Sequence, residues 1–223
     1  MSARTVSTVA FVGAGLGFAL FPVLRPWSDA ELSTRAETFA STGWVLSHTI
    51  GMVAFIALSL ALAAAVIADG GPRRRDALTV AAVLAWVGSV LILPYFGAET
   101  FGLQALGEHA SGDDQWLAAV SEQVRGGIVQ TVMFGTGLLA VAVSGVALAV
   151  RWWAHGPLPR AAGTLVGLGL VTYLPQFFLS PALRTTHGVV LAIGCLLAAA
   201  CLTRVVGERE VTRETRASAR SAA

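Results

Sequence analysis

Three residues in a largely apolar chain have side chains suited to acid–base or metal chemistry: His48, Glu99 and His187. Two imidazoles and a carboxylate together can bind a divalent metal. Two imidazoles facing each other across a helix bundle can ligate the iron of a b-type haem from both sides. A carboxylate beside a histidine can move a proton. Each also has a plainer reading: the histidines as satisfied polar caps near a membrane interface, and Glu99 as a solvated interfacial acid. His109, in a polar Gly-Glu-His-Ala-Ser-Gly stretch, and His155, beside Trp152 and Trp153, read as solvent-facing and interfacial.

Counting along helices brings further residues to the same level. His48 and Gln130 each stand about 20 residues, or ~30 Å, from the far end of their apolar segments. His187 stands roughly 16 residues out, and Glu99 about 23 residues beyond an arginine-rich loop. Tyr95, Tyr173 and Gln176 fall in the same halves of their segments. With Gln130 they form a candidate substrate-contacting set. His48, Glu99 and His187 are the candidate catalytic or metal-binding set. His48 and His187 would be the axial ligands of a haem, with Arg184, and Arg125 near it, available to propionates or another anion.

The elements that must hold these residues are membrane-spanning helices. The 223-residue chain is 55% hydrophobic and only 13% charged, against about 25% charged in a soluble domain. Its mean hydropathy is +0.71. Six apolar segments run approximately over 5–24, 44–68, 77–98, 127–150, 161–179 and 187–203. Each is long enough to cross a ~30 Å hydrocarbon layer as a helix, the last only just. The runs are continuous rather than alternating, and backbone in lipid must pair within its own segment, so helices are required. The expected fold is therefore all-α: a bundle of six transmembrane helices over residues 1–204, followed by a polar tail over 205–223 that frays into disorder. The first segment reads as a retained helix rather than a cleaved signal.

Arginine supplies every basic residue, and its placement orients the chain. Arg4, Arg73, Arg74, Arg75, Arg151, Arg160 and the tail arginines fall on one side. The other side has fewer arginines, diluted by acids. The positive-inside rule then puts both termini in the cytoplasm of a multi-pass cell-membrane protein, with the polar cluster outside.

The outer connections should carry structure of their own. Ser28-Asp-Ala-Glu31 reads as a capping box opening a short helix, with Leu32, Ala36 and Phe39 on one side. A second amphipathic helix should begin at Asp113-Asp114. Both can serve as a lid or simply cover loop length. Internally, Gly13/Gly15/Gly17 with Pro22, Gly88 with Pro94, and Gly163/Gly167/Gly169 with Pro175 recur in the odd-numbered segments. Ser47-His48-Thr49, Val129-Gln130-Thr131 and Thr186-His187-Gly188 open the even ones. Three tandem helical hairpins would explain this, as would chance alignment of Gly/Ala/Leu-rich helices.

Cys195 and Cys201 lie in one apolar segment, six residues apart, and read as buried thiols. A net charge of +2 does not point to nucleic acid. Four readings follow. The first is a haem- or metal-binding membrane protein. The second is a membrane-embedded enzyme acting on a lipid or isoprenoid, with Glu99 as acid or base. The third is a small-molecule transporter, which the apolar cytoplasmic halves of the helices disfavour. The fourth is a partner subunit, or a homo-oligomer, packing through glycine-lined helices. The implied partners are the bilayer and a small apolar or lipid-like ligand.

Overall fold

The computed structural model describes residues 1–72, 76–110 and 114–221, with side chains described to residue 203. Arg73, Arg74, Arg75, Asp113 and the side chains of the tail lie outside the described residues. All the secondary structure described is helical. In chain order it comprises α1 (Ala3–Leu24), α2 (Leu32–Ala40), α3 (Thr42–Ala68), α4 (Ala77–Gly97), α5 (Leu103–Glu108), α6 (Asp114–Gly126), α7 (Ile128–Trp153), α8 (Pro157–Val171) and α9 (Pro181–Ser221). Among the described residues, five stretches are long and apolar enough to cross a membrane: Ala3–Leu24, Thr42–Ala68, Ala77–Glu108, Ile128–Trp153 and Pro181–Thr203.

Helix boundaries follow local chemistry. The Ser41 hydroxyl accepts from Trp44 N (3.1 Å) and starts α3; the Asp76 carboxylate accepts from Leu78 N (3.0 Å) and starts α4. Gly156, at φ 99°, takes the left-handed turn between α7 and α8, and Pro157 opens α8. The predicted fifth segment, 161–179, is not one continuous helix. Its helix ends at Val171, because Pro175 has no N–H to extend it, and Pro175–Phe178 forms a separate 3₁₀ turn. The sixth begins earlier than predicted, at Pro181, so His187 lies inside the helix instead of opening it. The third continues past Gly97 through a π-helical turn, Ala98–Gly102, into α5.

The long helices and α8 pack in a closed ring. α1 touches α3 and α9, α4 touches α3 and α7, and α8 touches α7 and α9. Their inner faces meet in one core containing Phe11, Phe18, Phe55, Leu58, Ile92, Val141 and Val166. Their outer faces carry exposed Val9, Leu16, Leu20, Val53, Ile56, Leu60, Val83, Val87, Val90, Leu139, Val143 and Val146. These recur at helical three- and four-residue spacings, the pattern of a surface solvated by lipid.

Buried hydroxyls tie the ring together. Ser7 Oγ donates to the Ala61 carbonyl (2.7 Å), Ser144 Oγ to the Ala81 carbonyl (2.7 Å), and Ser59 and Ser89 share a hydrogen bond of 2.9 Å. Such interhelical bonds average ~0.6 kcal/mol and reach ~1.7 kcal/mol in membranes. Ser144→Ala should therefore lower unfolding stability in mixed micelles by about 1 kcal/mol. At the opposite end of the bundle from His48, Arg151 reaches Asp69 (2.9 Å) and Asp76 (3.4 Å), clamping the end of α3 to the start of α4.

α2, α5 and α6 cap the His48 end. Phe39, Trp44, Leu103 and Leu117 form a second, smaller core beneath them. The expected capping box at Ser28 and Glu31 does not form. The Ser28 hydroxyl pairs with Thr38 (2.8 Å), and Glu31, at the N-cap position of α2, makes no side-chain cap bond. Ser28–Ala30 is a single 3₁₀ turn that buries Asp29. The amphipathic helix expected from 113 onward is α6, described from Asp114, with Leu117 and Ser121 buried.

Candidate functional site

A cavity of about 250 Å³ lies beneath this cap, and most of the residues singled out by type converge on it. His48 of α3, Tyr95 of α4, Glu99 of the π turn, Tyr173 and Gln176 after α8, and Arg184 and His187 of α9 all line it. Gln130 does not. It lies on the exposed first turn of α7, where Ile128 and Val129 are also exposed and the helix stands clear of the bundle.

His48 is held on several sides. Its ring packs against Trp44 (centroids 4.1 Å), Phe21 (5.4 Å) and Phe96 (6.1 Å). Its Nδ1 lies 2.7 Å from the Trp44 carbonyl oxygen. A carbonyl can only accept, so Nδ1 carries the proton and donates. The neutral ring then presents its basic Nε2 lone pair to Glu99 Oε2, 3.7 Å away. A proton arriving at Nε2 would lie between imidazole and carboxylate.

Glu99 is positioned from above and from the side. Its backbone carbonyl accepts from Trp44 Nε1 (2.9 Å), and its Oε1 accepts from Arg125 Nε (2.7 Å). A second nitrogen of Arg125 reaches Asp29 Oδ2 at 3.0 Å, and the same oxygen accepts from Arg25 at 3.0 Å. The result is a continuous chain: Arg25, Asp29, Arg125, Glu99, His48. It links α1 and α6 to the π turn and α3. Arg25 also lies over Trp27 (4.4 Å) and Trp44 (4.9 Å), and Arg125 over Phe39 (5.3 Å).

Burial alone would raise the Asp29 pKa. The Arg25 and Arg125 guanidiniums outweigh it and hold the carboxyl below its usual 3.8. Burial likewise opposes the charge on Arg125, but Glu99 and Asp29 outweigh it and raise its pKa. The sign of the pH dependence follows. A carboxylate with a depressed folded-state pKa contributes stability above 3.8, lost as pH falls through the folded value. Thermal midpoints should therefore fall as pH drops below 3.8, and Asp29→Asn should flatten that limb. An unchanged acid limb in the variant would show that Asp29 does not carry it.

The rest of the cavity wall is mostly aromatic. Tyr95 stacks on Phe134 (4.2 Å), and Tyr173 meets Phe18 (5.9 Å), Phe55 (5.1 Å), Phe177 (5.9 Å) and His187 (5.6 Å) edge-on. Tyr173 and Gln176 are buried, at 2% and 5% exposure. Among the described residues neither side chain is hydrogen-bonded to protein, yet both line the cavity. His187 Nε2 lies 2.8 Å from the Gly169 carbonyl. Gly51 and Gly188, which could have made room beside the histidines, instead admit neighbouring atoms: Phe96 and Phe21 at Gly51, the Phe18 carbonyl and Pro22 at Gly188.

The expected metal set does not assemble. Among the described residues, no group of three His, Cys, Asp or Glu side chains could hold a metal ion, and His48, Glu99 and His187 are no exception. Arg125 engages one Glu99 oxygen and the Gly169 carbonyl engages the ε nitrogen of His187. That contact occupies Nε2 of His187 and leaves Nδ1 as its one remaining ligand atom. His109 and His155 are exposed and lie away from the cavity, and Cys195 is a buried thiol.

Composition could not reveal the residues that complete the site. Arg25, Trp27 and Asp29 belong to an irregular connection with no periodicity. Phe96 and Phe134 look, in sequence, like any lipid-facing aromatic. The one available signal was Asp29 flanked by Arg25 and Arg35 in a chain poor in charge.

Fold and cavity together define a class: the described residues are all-helical, with five helices among them long and apolar enough to cross a membrane, the make-up of a multi-pass membrane protein. Comparison with protein-family models, curated proteins and solved structures gives no match.

Proposed function

We propose that this protein is a membrane-embedded enzyme that performs acid–base chemistry on a lipid or isoprenoid substrate held in the cavity beneath the cap. The observation that carries the reading is the pair of cavity-lining side chains, Tyr173 and Gln176, whose polar ends open into the chamber and make no hydrogen bond to protein among the described residues. Among the described residues no side-chain polar atom is sealed from solvent without a partner, so these two ends are free to meet a ligand in the cavity. Here both face a largely aromatic chamber that also exposes His48 and Glu99. A few convergent polar groups in an apolar pocket are the usual form of a ligand site.

In this reading the catalytic role shifts from Glu99 to His48. Trp44 fixes the imidazole tautomer, so Nε2 takes a proton from the substrate. Glu99, itself fixed by Arg125, stabilises the imidazolium that results. Tyr173 and Gln176 orient the substrate's polar end, and Phe134 and Phe177 hold its first carbons. The cavity is smaller than the roughly 300–1,000 Å³ that encloses a drug-sized ligand, so the remaining chain lies outside it. Leu174 lines the cavity and is also exposed, and it marks where that chain leaves toward lipid.

α8 and the 3₁₀ turn that follows complete a sixth crossing, the 15 residues of α8 supplying ~22 Å. Six crossings place both termini on one side. Arginine placement makes that side the cytoplasm of a cell-membrane protein and puts the cavity at the outer surface.

The test is turnover of a membrane lipid extract by the purified protein in nanodiscs, followed by mass spectrometry. General acid–base catalysis contributes ~10²–10⁴-fold, so His48→Gln should slow product formation by at least about 100-fold. Product formed at an undiminished rate by His48→Gln overturns the assignment.

A further inference from the structure

We infer that the ligand of this cavity carries an anionic head, a phosphate or carboxylate, seated at the mouth between Arg25 and Arg184 beside Trp27. The inference rests on the lipid-type reading above and names the chemistry of the substrate's polar end.

All three residues line the cavity. The guanidinium carbons of Arg25 and Arg184 lie 4.4 Å and 5.0 Å from the centroid of the Trp27 ring, so one indole holds both cations at one place. Their charges are not equally compensated. Arg25 shares the Asp29 carboxylate with Arg125, whose other partner is Glu99. Arg184 donates to the backbone carbonyls of Phe177 and Leu179, the latter at 2.9 Å. Among the described residues no carboxylate lies within ion-pair distance of Arg184, and its Nη1 makes no protein hydrogen bond.

Those two backbone bonds aim the guanidinium and leave donors over. Charges at membrane depth normally pair with one another or with backbone carbonyls, as Arg184 does, and mark substrate or ion sites. The planar donor fork of arginine matches the oxygens of a phosphate or carboxylate. Tyr173 and Gln176 can hydrogen-bond a neutral or a charged head, whereas the two guanidiniums favour a charged one. The anion at the mouth also sets the register of the chain behind it, because the aromatic walls and His48 lie deeper in the same chamber.

The experiment titrates full-length protein in phosphatidylcholine nanodiscs, following tryptophan fluorescence. The probes are amphiphiles of one chain length ending in a phosphate monoester, a carboxylate or a hydroxyl, together with inorganic phosphate. The two anionic amphiphiles should bind about tenfold to a hundredfold more tightly than the alcohol, as expected for a charged hydrogen-bonded pair. Arg184→Gln should bring them down to the alcohol's affinity, and Arg184→Lys, which keeps the charge but not the fork, should retain part of the difference. Gln176→Glu, which leaves Arg184 in place and adds a negative charge to the wall, should weaken the anions more than the alcohol. Equal binding of alcohol and anions to the wild type overturns the anionic head while leaving a lipid site standing. Binding of inorganic phosphate as tightly as the amphiphile overturns the amphiphile. Binding of no amphiphile at all overturns the lipid reading itself.

Discussion

Arg125→Ala should destabilise the protein by about 3 kcal/mol, near the lower end of what removing one partner of a buried ion pair costs. The Arg125 side chain is 23% exposed, and its partners Asp29 and Glu99 are 10% and 14% exposed. That partial exposure sets the estimate at the lower end. The loss is not confined to one bond. Arg125 is the only link in the chain of charges that comes from α6, and it also covers Phe39 and Trp44, which underlie the cap. Without it Glu99 keeps only His48 as a facing group, while Asp29 retains Arg25. The check is thermal unfolding in detergent combined with limited proteolysis, with α6 becoming the first site of cleavage. A double variant, Arg125→Ala with Glu99→Gln, should lose less than the sum of the single losses, because the second change removes the charge the first leaves unpaired. Simple additivity would show that the two side chains do not act as a pair.

Gly188→Leu should cost about 3 kcal/mol or more, the upper end for overpacking. Pro22 cannot donate to the Phe18 carbonyl one turn below it in α1, so that oxygen is left without its helical partner. Gly188 of α9 packs directly against it. A Cβ there would also meet Pro22 Cγ at 2.9 Å. Backbone and a proline ring cannot yield, so α1 and α9 must part at the wall of the cavity. Gly135→Ala in α7 is the contrast. A Cβ at Gly135 meets nothing within 4 Å, and the change should gain up to ~1 kcal/mol in helix propensity. Unfolding titrations of both variants check the pair. Similar stability for the two would mean that helix contact at Gly188 is not limiting.

Much of this was legible in the sequence, for identifiable reasons. Long apolar runs dictate helices because lipid offers the backbone no other partner, and the described residues are all-helical with five such stretches. His48, Tyr95, Glu99, Tyr173, Gln176, Arg184 and His187 could be grouped because rise per residue converts position into depth. They do line one cavity. Depth does not give azimuth, and Gln130 shows the consequence: it was placed at the level of His48, yet α7 begins with an exposed turn that carries it away from the cavity. Of the three positions that a tandem-hairpin repeat would make equivalent, His48 and His187 line the cavity and Gln130 does not. The break after Val171 was signalled by Pro175, but the surrounding apolar run concealed it. The charge chain through Asp29 was hidden because Ser28 and Glu31 offered a local capping pattern, and tertiary pairing with Arg25 and Arg125 prevailed over it.

The most direct test of the central claim is photolabelling. A long-chain amphiphile bearing a diazirine on its first carbons would be bound to the protein in nanodiscs, irradiated, and the adducts located by mass spectrometry. The account predicts labelling at Phe134, Tyr173 and Phe177, suppressed by an excess of the unlabelled amphiphile and reduced in Gln176→Glu. Labelling confined to the exposed groove between α7 and α8, at Val146, Val150 and Leu168, and insensitive to competitor, would contradict it.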